Sequence, residues 1–270
     1  MTTRFDRDTA LVRTADGVYE GRVDGGWRIV RGANGGHMAA IVLRGMMLHD
    51  ADPDRAPRTL TVHFTRAPKD DEAVSVTVAT ERTGRTMSTL TARMEQEGKL
   101  VAIGLASFSK SRRGPEFAEI SMPEVPPPGE LEQVTDRPDF PFGRRFDFRR
   151  ALGPEPGERS DTAEHGVWMR LREPQMPDYV LITQLCDAWA PAVFARLGEG
   201  GGGAGVPTVE MTYHFREVLP QDAALPDDWY LGVFKTTLAR GGFIEEEGWL
   251  WSSRGTLLAQ SRQLAILETR

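Results

Sequence analysis

Two apolar runs, each followed by a series of alternating segments, organise this chain. The first run, His37–Leu48, is rich in Ala, Met, Leu and Ile and is apolar on nearly every side apart from Arg44. Such a run predicts a helix enclosed by other elements. Asn34 stands where an N-cap belongs, and Gly35 and Gly36 permit close backbone approach. Ahead of it, Tyr19–Val30 predicts two short strands about an Asp-Gly-Gly turn. Behind it, period-two alternation marks Thr59–Arg66 and Ala73–Gly84, joined by the turn PKDDE, and then a hairpin over Met87–Lys110 that turns at Glu95–Lys99. Four successive strands after one buried helix predict an antiparallel sheet wrapped around that helix. This is an α+β arrangement, distinct from a repeating βαβ protein.

The pattern then recurs. Residues 111–143 are dense in Pro and Gly and carry little periodicity, so they predict a surface connection between an N-terminal half, 1–110, and a C-terminal half, 144–270. Phe146–Leu152 and His165–Glu173 predict strands. Asp178–Gly198 is the other long helical candidate, closed by a glycine-rich stretch. Strands follow in PTVEMTYHFREV and WYLGVFKTTLA, then a hairpin through GTLLA. His63-Phe64 returns as His214-Phe215, an offset of 151, and GKLVA at Gly98–Ala102 returns as GTLLA at Gly255–Ala259, an offset of 157. The larger second offset is absorbed by the loop LPQDAALPDD in place of PKDDE, because loop closure costs little for added length. These matches, in this order, predict two fused homologous halves. Each copy alone leaves edge strands unpaired, and setting them side by side completes one continuous sheet with a cleft between them.

Composition narrows the function. The chain has 270 residues, 40% hydrophobic and 27% charged, which fits a globular protein with a sizeable core. A net charge of −6 without a basic block argues against nucleic acid as a partner. A single cysteine, Cys186, excludes an intrachain disulfide. The polar N-terminus and the lack of any run of about 18 apolar residues predict a cytoplasmic protein with no membrane span.

Asp187 is the sharpest chemical feature, a carboxylate among apolar or small neighbours in YVLITQLCDAWAPAVF. Burying it is costly without compensation. It fits an acid/base or water-orienting group. It also fits a structural carboxylate that bonds backbone or holds the halves in register, or one at the end of a helix kinked by Pro191. Gly35 and Gly36 open the first helix, where unpaired amides face outward and suit an oxygen developing negative charge; a flexible cap is the alternative. His37 is a candidate donor to a substrate carbonyl or a structural hydrogen-bonding group. His63 and His214, at equivalent positions of the repeat, suit packing or strand pairing. Thr208 and Gln263 lie on strands and suit neutral groups holding a water near Asp187. Glu210 alternates with Thr208 and is a reserve carboxylate. Cys186 is a poor nucleophile candidate, since no Cys–His signal accompanies it. Five scattered histidines form no metal-spaced cluster, and a G-x-S-x-G elbow is absent.

The segments NGGHMAAIVLRGM, LCDAWAPAVF, PTVEMTYHF and GTLLAQSRQLAIL resemble the double-hotdog acyl-CoA thioesterases, the TesB-like group, over nearly the whole chain except the linker. The resemblance implies a tandem hotdog fold, two curved antiparallel sheets each wrapped around a central helix and joined in one sheet. It also implies hydrolysis of an acyl-CoA or related thioester by water, with no cofactor or metal. The family's Asp, Thr and Gln around that water fall on Asp187, Thr208 and Gln263, and the oxyanion donors fall at Gly35, Gly36 and His37. Departures exist. The family has Gln after the glycine pair, where this chain has His37, and Thr-(Ile/Leu)-Asp-His in the next strand, where it reads Thr208-Val209-Glu210-Met211. These leave a non-catalytic thioester-binding or scaffold protein as an alternative. An enoyl-thioester hydratase is disfavoured, because no Asp-x-x-x-x-His element supplies its acid/base pair. Further self-association at exposed sheet edges is also expected.

Overall fold

The computed structural model describes residues 2–30, 32–135, 141–155, 158–198 and 205–267. Residues 136–140 of the expected linker and the glycine-rich stretch 199–204 lie outside the described residues. In chain order the elements are α1 (Arg4–Asp8), β1 (Val12–Ala15), β2 (Val18–Arg22), β3 (Arg28–Ile29), β4 (Gly32–Ala33), α2 (Gly35–His49), β5 (Ala56–Phe64), β6 (Ala73–Thr83), β7 (Met87–Gln96) and β8 (Lys99–Ser109). After the connection come β9 (Phe146–Leu152), β10 (Ala163–Leu171), α3 (Tyr179–Leu185), α4 (Val193–Leu197), β11 (Thr208–Phe215), β12 (Tyr230–Thr236), β13 (Ala239–Arg240), β14 (Phe243–Ser252) and β15 (Leu257–Ile266).

Helix α2 forms where the sequence places it. The Asn34 side chain caps it by accepting from the His37 amide at 3.0 Å. Ala39, Ala40, Val42, Leu43 and Met46 are fully enclosed, as an all-round apolar helix requires. It packs on β5–β8. The approach is close: a Cβ added at Gly104 of β8 would stand 2.7 Å from Val42 Cγ1. The hairpin β7–β8 turns on Glu97 and Gly98, with φ of 52° and 70°, the pair of positive values that a two-residue turn between twisted strands needs.

The main sheet has the order β1-β2-β6-β7-β8-β5-β11-β15-β14-β12-β10-β9, with β13 on β14, and every pairing is antiparallel. Read outward from the centre, β5-β8-β7-β6-β2-β1 is matched by β11-β15-β14-β12-β10-β9. At the centre Thr61 stands opposite Thr212, and their hydroxyls bond at 2.9 Å. These residues are 151 apart, the offset of the repeated His-Phe pair. One hydrophobic cluster runs through both sides of this junction, from Met38, Leu43 and Leu60 to Ile182, Tyr213 and Leu258.

Two expectations change. Tyr19–Val30 is not a hairpin: β2 pairs with β1 and β6, and the Asp24-Gly25-Gly26 segment is a 3-10 turn. There the Asp24 carboxylate accepts from the Gly26 amide, and Trp27 drops into the core. The run 178–198 is not one helix. Leaving α3, the amides of Asp187 and Ala188 bond three residues back, to Gln184 and Leu185, which tightens the turn. Pro191 then has no amide to continue, and helix resumes only at α4.

Candidate active site

The break in the second helical run is what presents Asp187. Its carboxylate lies against the N-terminus of α2: Oδ2 accepts from the Gly36 amide at 2.7 Å and from Asn34 Nδ2 at 3.0 Å. Asn34 Nδ2 also reaches the Asp187 carbonyl at 2.8 Å, while Asn34 Oδ1 accepts from Gln184 Nε2 at 2.8 Å and from the His37 amide. Glycine is required here by space. A Cβ at Gly36 would stand 2.9 Å from Asp187 Cβ, and one at Gly35 3.0 Å from Oδ2. Asp187 is half-buried, and burial pushes its carboxyl up to about 6, against the lowering pull of the Gly36 amide and Asn34. Gly36 and Asp187 are 151 residues apart, the same spacing as Thr61 and Thr212.

A second cluster sits on the inner face of the C-terminal strands. Strand β11 carries a register shift between Thr208 and Glu210, one extra residue against β15. Across the bulge Thr208 faces Ala265 while Met211 faces Gln263, so Thr208 joins the core face. Thr208 Oγ1 donates to Gln263 Oε1 at 2.7 Å, and Gln263 Nε2 donates to Glu246 Oε1 at 2.7 Å. Glu246 Oε2 takes the Ala192 amide, five residues beyond Asp187. Burial pushes the Glu246 carboxyl up to about 7; the bonds from Ala192 and Gln263 oppose this, and the nearby charges of Asp187 and Glu245 add to it. The two clusters are linked through Glu246, which holds the Ala192 amide of the segment after Asp187 and feels the Asp187 charge; a raised carboxylate and an ordered Thr–Gln–Glu chain are groups of the kind that hold and deprotonate a water.

An acyl-CoA thioesterase C-terminal domain model matches residues 122–267, and the corresponding N-terminal domain model matches residues 23–109. The chain belongs to the acyl-CoA thioesterase family. It is a thioester hydrolase. No curated protein matches it by sequence. Among solved structures it is similar to a conserved protein of unknown function with hot dog fold from Alicyclobacillus acidocaldarius. The two are 27% identical with a TM-score of 0.86, over 100% of each chain. It is also similar to the acyl-CoA thioesterase II TesB2 from Mycobacterium marinum, 23% identical with a TM-score of 0.79 over 98% of each chain. The thioesterase therefore has a hotdog fold.

In this thioesterase the residues singled out in the sequence divide. Asp187 meets Gly35 and Gly36, and Thr208 meets Gln263. His37 turns its ring away, stacked on Trp27 at 4.6 Å between centroids, and burial and the Arg145 charge hold it neutral, down to about 3. Glu210 is corrected as a reserve carboxylate. The bulge turns it to the other face, where it accepts from Thr212 Oγ1 at 2.6 Å. Cys186 is buried, and its thiol is pushed up by burial and by Asp187. Among the described residues no group of three or more His, Cys, Asp or Glu is placed to hold a metal ion. No described helix is long and apolar enough to cross a membrane.

Three partners escaped the sequence reading. Asn34 was expected only as a cap, Gln184 was one of the few polar letters in an apolar run, and Glu246 lay in a row of three glutamates. The signal for Glu246 was the alternation Ile244-Glu246-Gly248-Leu250, all buried. The two sides of the β5–β11 junction are equipped differently. Strand β5 carries the same bulge, between Pro57 and Thr59, and Pro57 faces Phe108 there as Thr208 faces Ala265. Ala106 stands 157 residues before Gln263 and pairs with Leu90, as Gln263 pairs with Glu246. Pro57, Ala106 and Leu90 are buried and offer no side-chain hydrogen bond.

Proposed function

We propose that this tandem hotdog thioesterase hydrolyses an acyl-CoA, or a related acyl thioester, by attack of a water that Asp187 deprotonates. One observation carries the reading: a half-buried carboxylate, raised to about 6, is fastened to the amide end of α2. A base with that value is ionised at neutral pH yet keeps appetite for a proton. Among the described residues its side-chain hydrogen bonds fall on Oδ2, and the water takes Oδ1. Thr208 and Gln263 hold that water from the strand side, with Thr208 supplying its lone pairs, because its proton goes to Gln263.

The tetrahedral oxyanion forms at the N-terminus of α2, where the helix end favours negative charge. The Gly35 amide is its donor. The Gly36 amide is held by Asp187 Oδ2 and keeps the base in place, and the His37 amide is committed to Asn34, so the role expected for these two falls to Gly35. The coenzyme A thiolate leaves unaided, since thiols titrate at about 8.5.

The test is thiol release from a panel of acyl-CoAs, acetyl to stearoyl, by wild type and Asp187→Asn. Release by the variant is expected to fall by at least ~100-fold while the fold is kept. Unchanged release would remove Asp187 as base. Saturable binding with no release by wild type would make the chain a thioester-binding protein.

A further inference from the structure

Glu246 is a buried ionisable group that the chemistry above leaves without a task. It is 6% exposed on the inner face of β14, and among the described residues its hydrogen bonds come from neutral donors, Gln263 Nε2 and the Ala192 amide. A carboxylate so placed is costly to bury. The fold does not demand one, because the matching place in the other half holds Leu90, fully buried. Its cost therefore points to a use.

That use follows from the shape of an amide. The oxygen and nitrogen of Gln263 are nearly the same size, so packing alone cannot decide which faces Thr208. An ionised carboxylate only accepts. It draws Nε2 to itself and so turns Oε1 toward Thr208 Oγ1. That in turn directs the Thr208 proton inward and its lone pairs to the water. The second carboxylate oxygen holds Ala192, at the far end of the non-helical segment that presents Asp187. We propose that Glu246 is a positioning residue for thioester hydrolysis, fixing the Gln263 amide and through it the Thr208 hydroxyl. This rests on the reading of Thr208 and Gln263 as the water-holding pair.

Glu246→Gln keeps the shape but offers a donor, which releases Gln263 to turn over. The expected result is a ~10- to 100-fold fall in kcat with KM within ~3-fold, the pattern of an interaction made for the transition state. In a Gln263→Ala background the same substitution should cost under ~3-fold, because its route of action is gone. Glu246→Asp should recover part of the rate. Thermal unfolding checks that each variant is folded; if Glu246→Gln is not, the same cycle is run against the same criterion with Glu246→Leu, which removes the acceptor and copies the residue at the matching place, Leu90. A folded Glu246→Gln with wild-type kcat, or an equal loss in both backgrounds, overturns the assignment. Asp187→Asn measured in parallel separates the failures. If it stays active, the water-activation reading fails. If it is inactive while Glu246→Gln is normal, only the role of Glu246 fails.

Discussion

Replacing Asp187 by Asn should make the folded protein more stable at pH 8 while stopping its chemistry. Burial raises the carboxyl from 3.8 to about 6, so the folded chain holds this proton more tightly than the unfolded chain does. The sign follows. Below about pH 4 both states are protonated and the group is neutral in its effect. Stability is lost as pH rises through about 6, and above that the ionised group costs the fold its full penalty. At about 1.4 kcal/mol per pKa unit, and with solvent reaching a half-buried group, the penalty is about 2 kcal/mol. An Asn oxygen can accept from both the Gly36 amide and Asn34, so the variant keeps these bonds without the charge. Thermal unfolding should show a midpoint about 4–8 °C above wild type at pH 8, and no difference near pH 4. A variant less stable than wild type at pH 8 would refute the reasoning. It would mean that the α2 terminus more than offsets the burial of the charge.

Three further outcomes are expected. The rate of thiol release should fall as pH drops through about 7 and 6, since Glu246 must accept and Asp187 must take a proton; a flat profile from alkaline pH down to about 5 contradicts this. Gly36→Ala should lower activity at least ~10-fold and stability by about 1–3 kcal/mol, because its Cβ would press on Asp187 Cβ at 2.9 Å and the Gln184 carbonyl at 3.0 Å; wild-type kinetics would show that the approach is not tight. Cys186 should resist thiol reagents until the protein unfolds, and Cys186→Ala should retain kcat within ~3-fold, given a buried thiol held protonated.

The strands were legible because burial of one face enforces alternation, and α2 because an unbroken apolar run follows a capping Asn34. The 151-residue offset of the repeated His-Phe pair is also the spacing of Thr61 and Thr212, which bond across β5 and β11. What stayed hidden depends on breaks in periodicity. One added residue at the β11 bulge reverses the faces of Thr208 and Glu210, and alternation placed them together. The apolar run around Asp187 looked like a single helix because hydrophobicity does not register the short turn at Ala188. Glu246 was masked by Glu245 and Glu247, both partly exposed on the other face. Asn34 gave no hint of its partners, because Gln184 and Asp187 lie 150 and 153 residues away.

The contact between Gly36 and Asp187 also sets a ceiling on stoichiometry. If the two are counterparts in a duplicated chain, each reaction centre needs a carboxylate from one copy and a bare backbone from the other. A carboxylate at position 36 would have to occupy space that the Asp187 side chain already fills. The two centres are then mutually exclusive by sterics, and a single-turnover burst should never exceed one product per polypeptide.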